Sequence, residues 1–116
     1  MTEEAQAAAP PGDIEAQARW RAARAKLVAR GGRFPAARTL LDEAAALVSA
    51  TSWAVLQAEI LMARAEVDRL AGEREQAESS LRAALRIYQD RHATVFADQA
   101  AAALASFAGQ PRTEPA

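Results

Sequence analysis

The chain contains no cysteine, so neither a disulfide staple nor a thiolate zinc site can hold it together. Large side chains are scarce too, with 3 Phe, 2 Trp and 1 Tyr in 116 residues. That supply does not suit a β-sandwich, whose facing sheets are filled by β-branched and aromatic residues. No apolar run approaches the ~18 residues of a membrane span. Met1 to Gly12 has neither the basic start nor the apolar stretch of a secretory signal. A cytoplasmic protein with no membrane contact is the expectation. The net charge is only -1, so no global field draws the chain to nucleic acid or to an acidic bilayer.

What is present is alanine, 33 residues of it within a hydrophobic fraction of 51%. Alanine is the best helix former, and on contact faces it lets helices approach closely. Composition therefore predicts one small all-α domain. The cations are 13 Arg against the single Lys26. Abundant Arg and Ala, both encoded by GC-rich codons, suggest a GC-rich bacterial genome.

Residues 1–12, with Ala7-Ala8-Ala9 and Pro10-Pro11-Gly12, are expected to form a disordered arm. Residues 109–116, with two prolines and no large apolar side chain, are expected to be a disordered tail. A helical domain is predicted over 13–108. Its helices are expected at about 14–30, 35–50, 53–71, 74–91 and 94–108, with Asp13 and Ser52 as N-caps and Pro35 opening the second. Gly31-Gly32, Gly72 and Gly109 end helices. Loops this short force antiparallel neighbours.

A shift of 40 positions aligns the chain with itself. It pairs Ala18 with Ala58, Ala25 with Ala65, Gly32 with Gly72, Leu41 with Leu81, and Val55 with Val95. The pattern Gly-x4-Ala-x3-Leu-x2-Ala occurs twice, as Gly32, Ala37, Leu41, Ala44 and as Gly72, Ala77, Leu81, Ala84. A small residue stands seven positions before each glycine, at Ala25 and Ala65. On these residues the chain resembles the tetratricopeptide repeat, over about residues 14–108. It is most similar to the long-period repeats of bacterial maltose-regulator-type activators and of regulators attached to nucleotide cyclases and protein kinases. Two departures stand out. Arg24 and Arg64 occupy a position that is usually large and apolar, and Val28 and Asp68 occupy one that is usually aromatic. Arg64 and Asp68, spaced i, i+4, are expected to pair.

The resemblance implies an α-solenoid fragment of two helix hairpins plus a terminal helix. The apolar stripes expected to be buried are Ala16, Trp20, Ala23 and Leu27 in the first helix, and Ala37, Leu40, Leu41, Ala44, Leu47 and Val48 in the second. The third offers Leu56, Ile60, Ala63, Val67 and Leu70, and the fourth Ala77, Leu81, Ala84, Leu85 and Tyr88. Trp53, beside a loop, is expected to be half exposed. The resemblance also implies protein or peptide binding on the concave surface formed by the first helix of each pair. The residues on that face are expected to be Arg19, Ala22, Lys26, Arg30, Glu59, Met62, Glu66, Arg69, Gln99 and Ala102.

No catalytic constellation is found, and no cofactor or metal is expected. The only histidine, His92, lies in a turn without a second imidazole, a thiol or a carboxylate cluster, and reads as a solvated turn residue. Ser49, Thr51 and Ser52 match no nucleophile motif. Gly31-Gly32 lacks the Lys-Ser/Thr of a phosphate loop. Charge is more informative. Seven basic residues lie between Ala16 and Leu41 with no acid among them: Arg19, Arg21, Arg24, Lys26, Arg30, Arg33 and Arg38. They are either a site for an acidic peptide or nucleic acid, or one side of intramolecular ion pairs. The 40-residue shift favours ion pairs, setting Arg19 beside Glu59 and Lys26 beside Glu66. Nucleic acid is disfavoured because no aromatic interleaving accompanies the charge.

Three functions compete: a free-standing adaptor, the detached tail of a larger signalling protein, and a basic-patch nucleic-acid binder. On the fifth helix, Phe96, Ala100, Ala103, Leu104 and Phe107 are expected to pack on the preceding pair. Ala97, Ala101, Ala105 and Ala108 form an opposite ridge, expected to support a twofold homodimer.

Overall fold

The computed structural model describes residues 13–49 and 51–108. The expected arm 1–12, the tail 109–116 and position 50 lie outside the described residues. The fold is all-α: α1 (Ile14–Arg30), α2 (Phe34–Ser49), α3 (Ala54–Leu70), α4 (Arg74–Asp90) and α5 (Thr94–Ala108). Helix starts fall at 14, 34, 54, 74 and 94, a constant step of 20. Two antiparallel hairpins, α1–α2 and α3–α4, stack side by side, and α5 closes the row against α4. None of these helices is long and apolar enough to cross a membrane.

Three of the four turns share one geometry. The N–H of Arg33 donates to Val28 O at 3.2 Å, that of Glu73 to Asp68 O at 2.8 Å, and that of Ala93 to Tyr88 O at 2.8 Å. Inside each, the N–H of Gly32, Gly72 or His92 donates to a carbonyl three residues back. This pair of hydrogen bonds satisfies the last carbonyls of the helix, and it requires a left-handed residue at the inner position. Gly32 and Gly72 supply it with φ of 84° and 80°, and His92 does so with φ of 57°. The α2–α3 connection is built differently. Ser52 does not cap α3. The N-cap is Trp53, 45% exposed and without a side-chain cap. Thr51 orders this turn instead, its hydroxyl donating to Val48 O at 2.7 Å and accepting from Trp53 N at 3.2 Å. Gln57 Nε2 adds bonds to Val48 O and Thr51 O. Asp13 caps α1 by accepting from Ala16 N at 3.2 Å. α2 starts at Phe34, one residue before Pro35.

The interior is floored with alanine. Ala18, Ala25, Ala37, Ala44, Ala58, Ala77, Ala84 and Ala100 are all 0% exposed. The second helix of each hairpin buries matching positions: Ala37, Leu41, Ala44 and Val48 in α2, and Ala77, Leu81, Ala84 and Tyr88 in α4. In α3, Leu56, Ile60, Ala63 and Val67 are buried as expected.

The expectation for α1 is overturned. Its buried residues are Ala18, Arg21, Ala22, Ala25 and Ala29. Ala16 and Ala23 are exposed, Trp20 is half-buried, and Leu27 is 60% exposed. The reason lies in the stacking. Leu56, Ile60, Ala63 and Val67 of α3 are covered by the hairpin that precedes them, whereas no hairpin precedes α1 among the described residues. The pairing expected within α3 is also replaced by bonds to α2. Arg64 Nη2 reaches Asp42 Oδ1 at 3.2 Å, and Asp68 Oδ1 accepts from Arg38 Nη2 at 3.1 Å. Within the first hairpin, the buried Arg21 bonds to Glu43 at 3.1 Å and lies 5.7 Å from the Trp20 ring centre.

The turn geometry generates a test. A Cβ added at Gly32 or Gly72 would meet nothing within 4 Å. Gly72→Ala should therefore cost only the left-handed strain, about 1–2 kcal/mol. His92→Gly should move stability the opposite way, by up to ~1 kcal/mol, because it relieves the same strain at the third turn. Urea midpoints measure both. Equal losses in the two variants would show that His92 is not strained.

Candidate binding groove

α1, α3 and α5 run parallel on one side of the stack. The α5 backbone stays farther from α3 than α3 does from α1. The gap is occupied from behind by Tyr88 of α4, which is 2% exposed. Phe96 stacks on it with ring centres 5.4 Å apart and an interplanar angle of 25°. One repeat earlier, these positions are Val48 and Leu56, 3% and 4% exposed. Phe96, by contrast, is 46% exposed. The larger aromatic pair thus coincides with a wider junction between neighbouring first helices.

Along this junction runs an open groove of about 510 Å³, lined by Lys26 and Arg30 of α1, by Glu59, Met62, Ala63 and Glu66 of α3, by Tyr88, and by Phe96 and Gln99 of α5. Six of the ten residues expected on the concave face line it: Lys26, Arg30, Glu59, Met62, Glu66 and Gln99. The other four do not. Arg19 is exposed and held by Glu15 and Glu59. Ala22 is 8% exposed and belongs to the core, because α2 and α3 close over that face of α1. Arg69 and Ala102 are exposed outside the groove. Sequence reasoning missed Ala63 and Phe96 as groove residues and placed Tyr88 in the core alone. The available signal was the aromatic replacement of Val48 and Leu56 under the 40-residue shift.

The charges are arranged across the groove. Arg19 grips Glu59 with two bonds, Nη2 to Oε2 at 2.7 Å and Nε to Oε1 at 3.2 Å. This is the pairing that the repeat implies. Its second expected pair is not formed: Glu66 bonds to Arg69 of its own helix at 2.6 Å and 3.1 Å. Arg69, and then the charges of Arg30 and Lys26, hold the Glu66 carboxyl below its ordinary value against the opposing effect of burial. Lys26 and Arg30 themselves make no ion pair among the described residues. Tyr88 has its pKa raised, first by burial and then by the Glu59 charge. Its hydroxyl has no hydrogen-bond partner among the described residues. The groove therefore combines an aromatic floor, an adaptable Met62, the cations Lys26 and Arg30, and the carboxylates of Glu59 and Glu66.

Of the seven basic residues between 16 and 41, Arg19, Arg21 and Arg38 are held in ion pairs inside the fold. On the α5 ridge, Ala101 and Ala105 are exposed, while Ala97 is half-buried against the Tyr88 cluster. The side chain of Ala108 is outside the described residues. No known family matches the chain, and no curated protein or solved structure shows significant similarity to it.

The Arg19–Glu59 pair is half exposed, so its contribution should be about 0.2–1 kcal/mol. Glu59→Arg should destabilise by that amount or more, and adding Arg19→Glu should restore most of the loss. Strict additivity of the two reversals in chemical denaturation would show that the side chains do not meet in solution.

Proposed function

We propose that the chain is a non-catalytic module of tetratricopeptide type that binds an extended peptide or protein segment in the groove between α1, α3 and α5. An adaptor or regulatory part in a bacterial cytoplasm is the setting that fits this reading. The observation that carries it is the Tyr88–Phe96 floor, set among the polar side chains of Lys26, Arg30, Glu59, Glu66 and Gln99. Apolar anchors ringed by oriented polar groups are what a peptide site needs. Glu59 and Glu66 are each tied to an arginine, Arg19 and Arg69, which suits them to orienting the polar groups of a bound segment.

The nucleic-acid reading is weakened by the three arginines already neutralised within the fold. The groove is also a better partner site than the α5 ridge, where Asp98 occupies the position of the fully buried Ala18 and Ala58. A helix packing there as α2 packs on α1 would bury that carboxylate without a partner, which is costly.

Panning a random library of unstructured peptides against the folded chain tests the proposal. A consensus should emerge, and its binding should fall at least tenfold on Phe96→Ala and on Met62→Glu, with both variants keeping the helical circular-dichroism signal. Peptides that bind both variants unchanged would place the site elsewhere, and the absence of any consensus would remove the proposal.

A further inference from the structure

The stripe on the outer face of α1 has a counterpart that the same structure shows covered. Under the 40-residue shift, Ala16, Trp20, Ala23 and Leu27 correspond to Leu56, Ile60, Ala63 and Val67. In α3 these four are 3–4% exposed or, for Val67, 0% exposed. In α1 the two alanines are exposed, Trp20 is half-buried, and Leu27 is 60% exposed. The polar residue inside the stripe is the same in both helices. Arg64 of α3 is met by Asp42 of α2 at 3.2 Å. Arg24 of α1 is exposed and has no partner among the described residues. The Arg21 guanidinium lies over the Trp20 ring, 5.7 Å from its centre.

The second repeat therefore shows what this face accepts. On α3 the covering element that supplies the acid is α2, whose Ala37, Leu41, Ala44 and Val48 form its buried side with Asp42 beside Leu41. We propose that the outer face of α1 is a docking site for an amphipathic helix of a partner protein. That helix carries a small-and-aliphatic stripe like that of α2 and an acidic side chain that meets Arg24. A second copy of this chain is a poor source of it: the open ridge of its α5 offers only Ala101 and Ala105 where α2 has Leu41 and Val48. Its α2 is already covered by α3 and its α4 by α5, and α4 has Arg82 where α2 has Asp42. Two α1 faces brought together would offer Arg24 no free acid, since Glu15, the one acidic residue of α1, is held by Arg19. This site is separate from the groove and stands independently of the peptide-binding proposal.

The probe is a peptide with the sequence of residues 33–49, cross-linked through positions 39 and 43, both exposed in α2, so that it enters solution as a helix. It is titrated against the full chain by fluorescence anisotropy, with the indole N–H signals of Trp20 and Trp53 followed by NMR. Saturable binding should shift Trp20 and leave Trp53 in place. Leu27→Glu in the chain should weaken it at least tenfold. Asp42→Arg in the peptide should weaken binding several-fold, and Arg24→Asp in the chain should restore the swapped peptide. Binding insensitive to Leu27→Glu and to the Arg24 swap would mean that the peptide displaces the chain's own α2 from α3, and would overturn the proposal. The absence of binding by the preformed helix at millimolar concentration would overturn it as well.

Discussion

Close approach of helix backbones through alanine is the constraint on which the rest of this structure depends. Eight alanines are 0% exposed, and six of them form the pairs Ala18–Ala58, Ala37–Ala77 and Ala44–Ala84 in successive repeats. With only a methyl group at the contact, neighbouring helices can sit at the short end of the usual 8–10 Å separation. The few large side chains then suffice to fill what remains: Leu41, Val67 and Tyr88 are the largest wholly enclosed ones. A chain with so little aromatic bulk could not fill a core at wider spacing. The shared turn geometry follows from the same demand, since antiparallel helices this close need a sharp reversal that leaves no carbonyl unsatisfied.

Uniform packing makes the departures from it informative. Between α1 and α3 the stack is closed by Val48 and Leu56. Between α3 and α5 the same two positions are Tyr88 and Phe96, and the junction widens into a groove. Polar residues follow the same logic. Arg19, Arg21, Arg38 and Arg64 are tied to Glu59, Glu43, Asp68 and Asp42 on neighbouring helices, so much of the basic charge in α1, α2 and α3 helps fix how those helices sit. The cations of α1 left over, Arg24, Lys26 and Arg30, lie on its outer face or at the groove.

Much of this was legible in the sequence, and the exceptions have physical causes. Helix boundaries were readable to one or two residues because Gly32, Gly72 and Asp13 punctuate the chain. The buried sides of α2, α3 and α4 were readable because those helices have neighbours on both flanks. α1 was misread because an apolar stripe records a face fit for burial and not whether anything covers it. The Arg64–Asp68 pair failed for a related reason. Spacing along one helix makes the two side chains neighbours, but Asp42 and Arg38 across the interface offer better-placed partners. The aromatic floor of the groove was hidden because Tyr88 belongs to the second helix of its hairpin, while the concave face was read from first helices alone. His92 was read as an ordinary turn residue, since only the backbone geometry shows that it stands in a glycine's place.

On the proposed function, the junction between α3 and α5 is the surface that meets a partner. Met62 lines it and is one of only 2 methionines in the chain, so selective methyl labelling reports on it directly. Adding a peptide selected for binding should shift the Met62 methyl signal in proportion to occupancy, together with ring signals of Tyr88 and Phe96. A peptide that saturates the protein while the Met62 methyl and both rings stay unmoved would place the binding surface elsewhere.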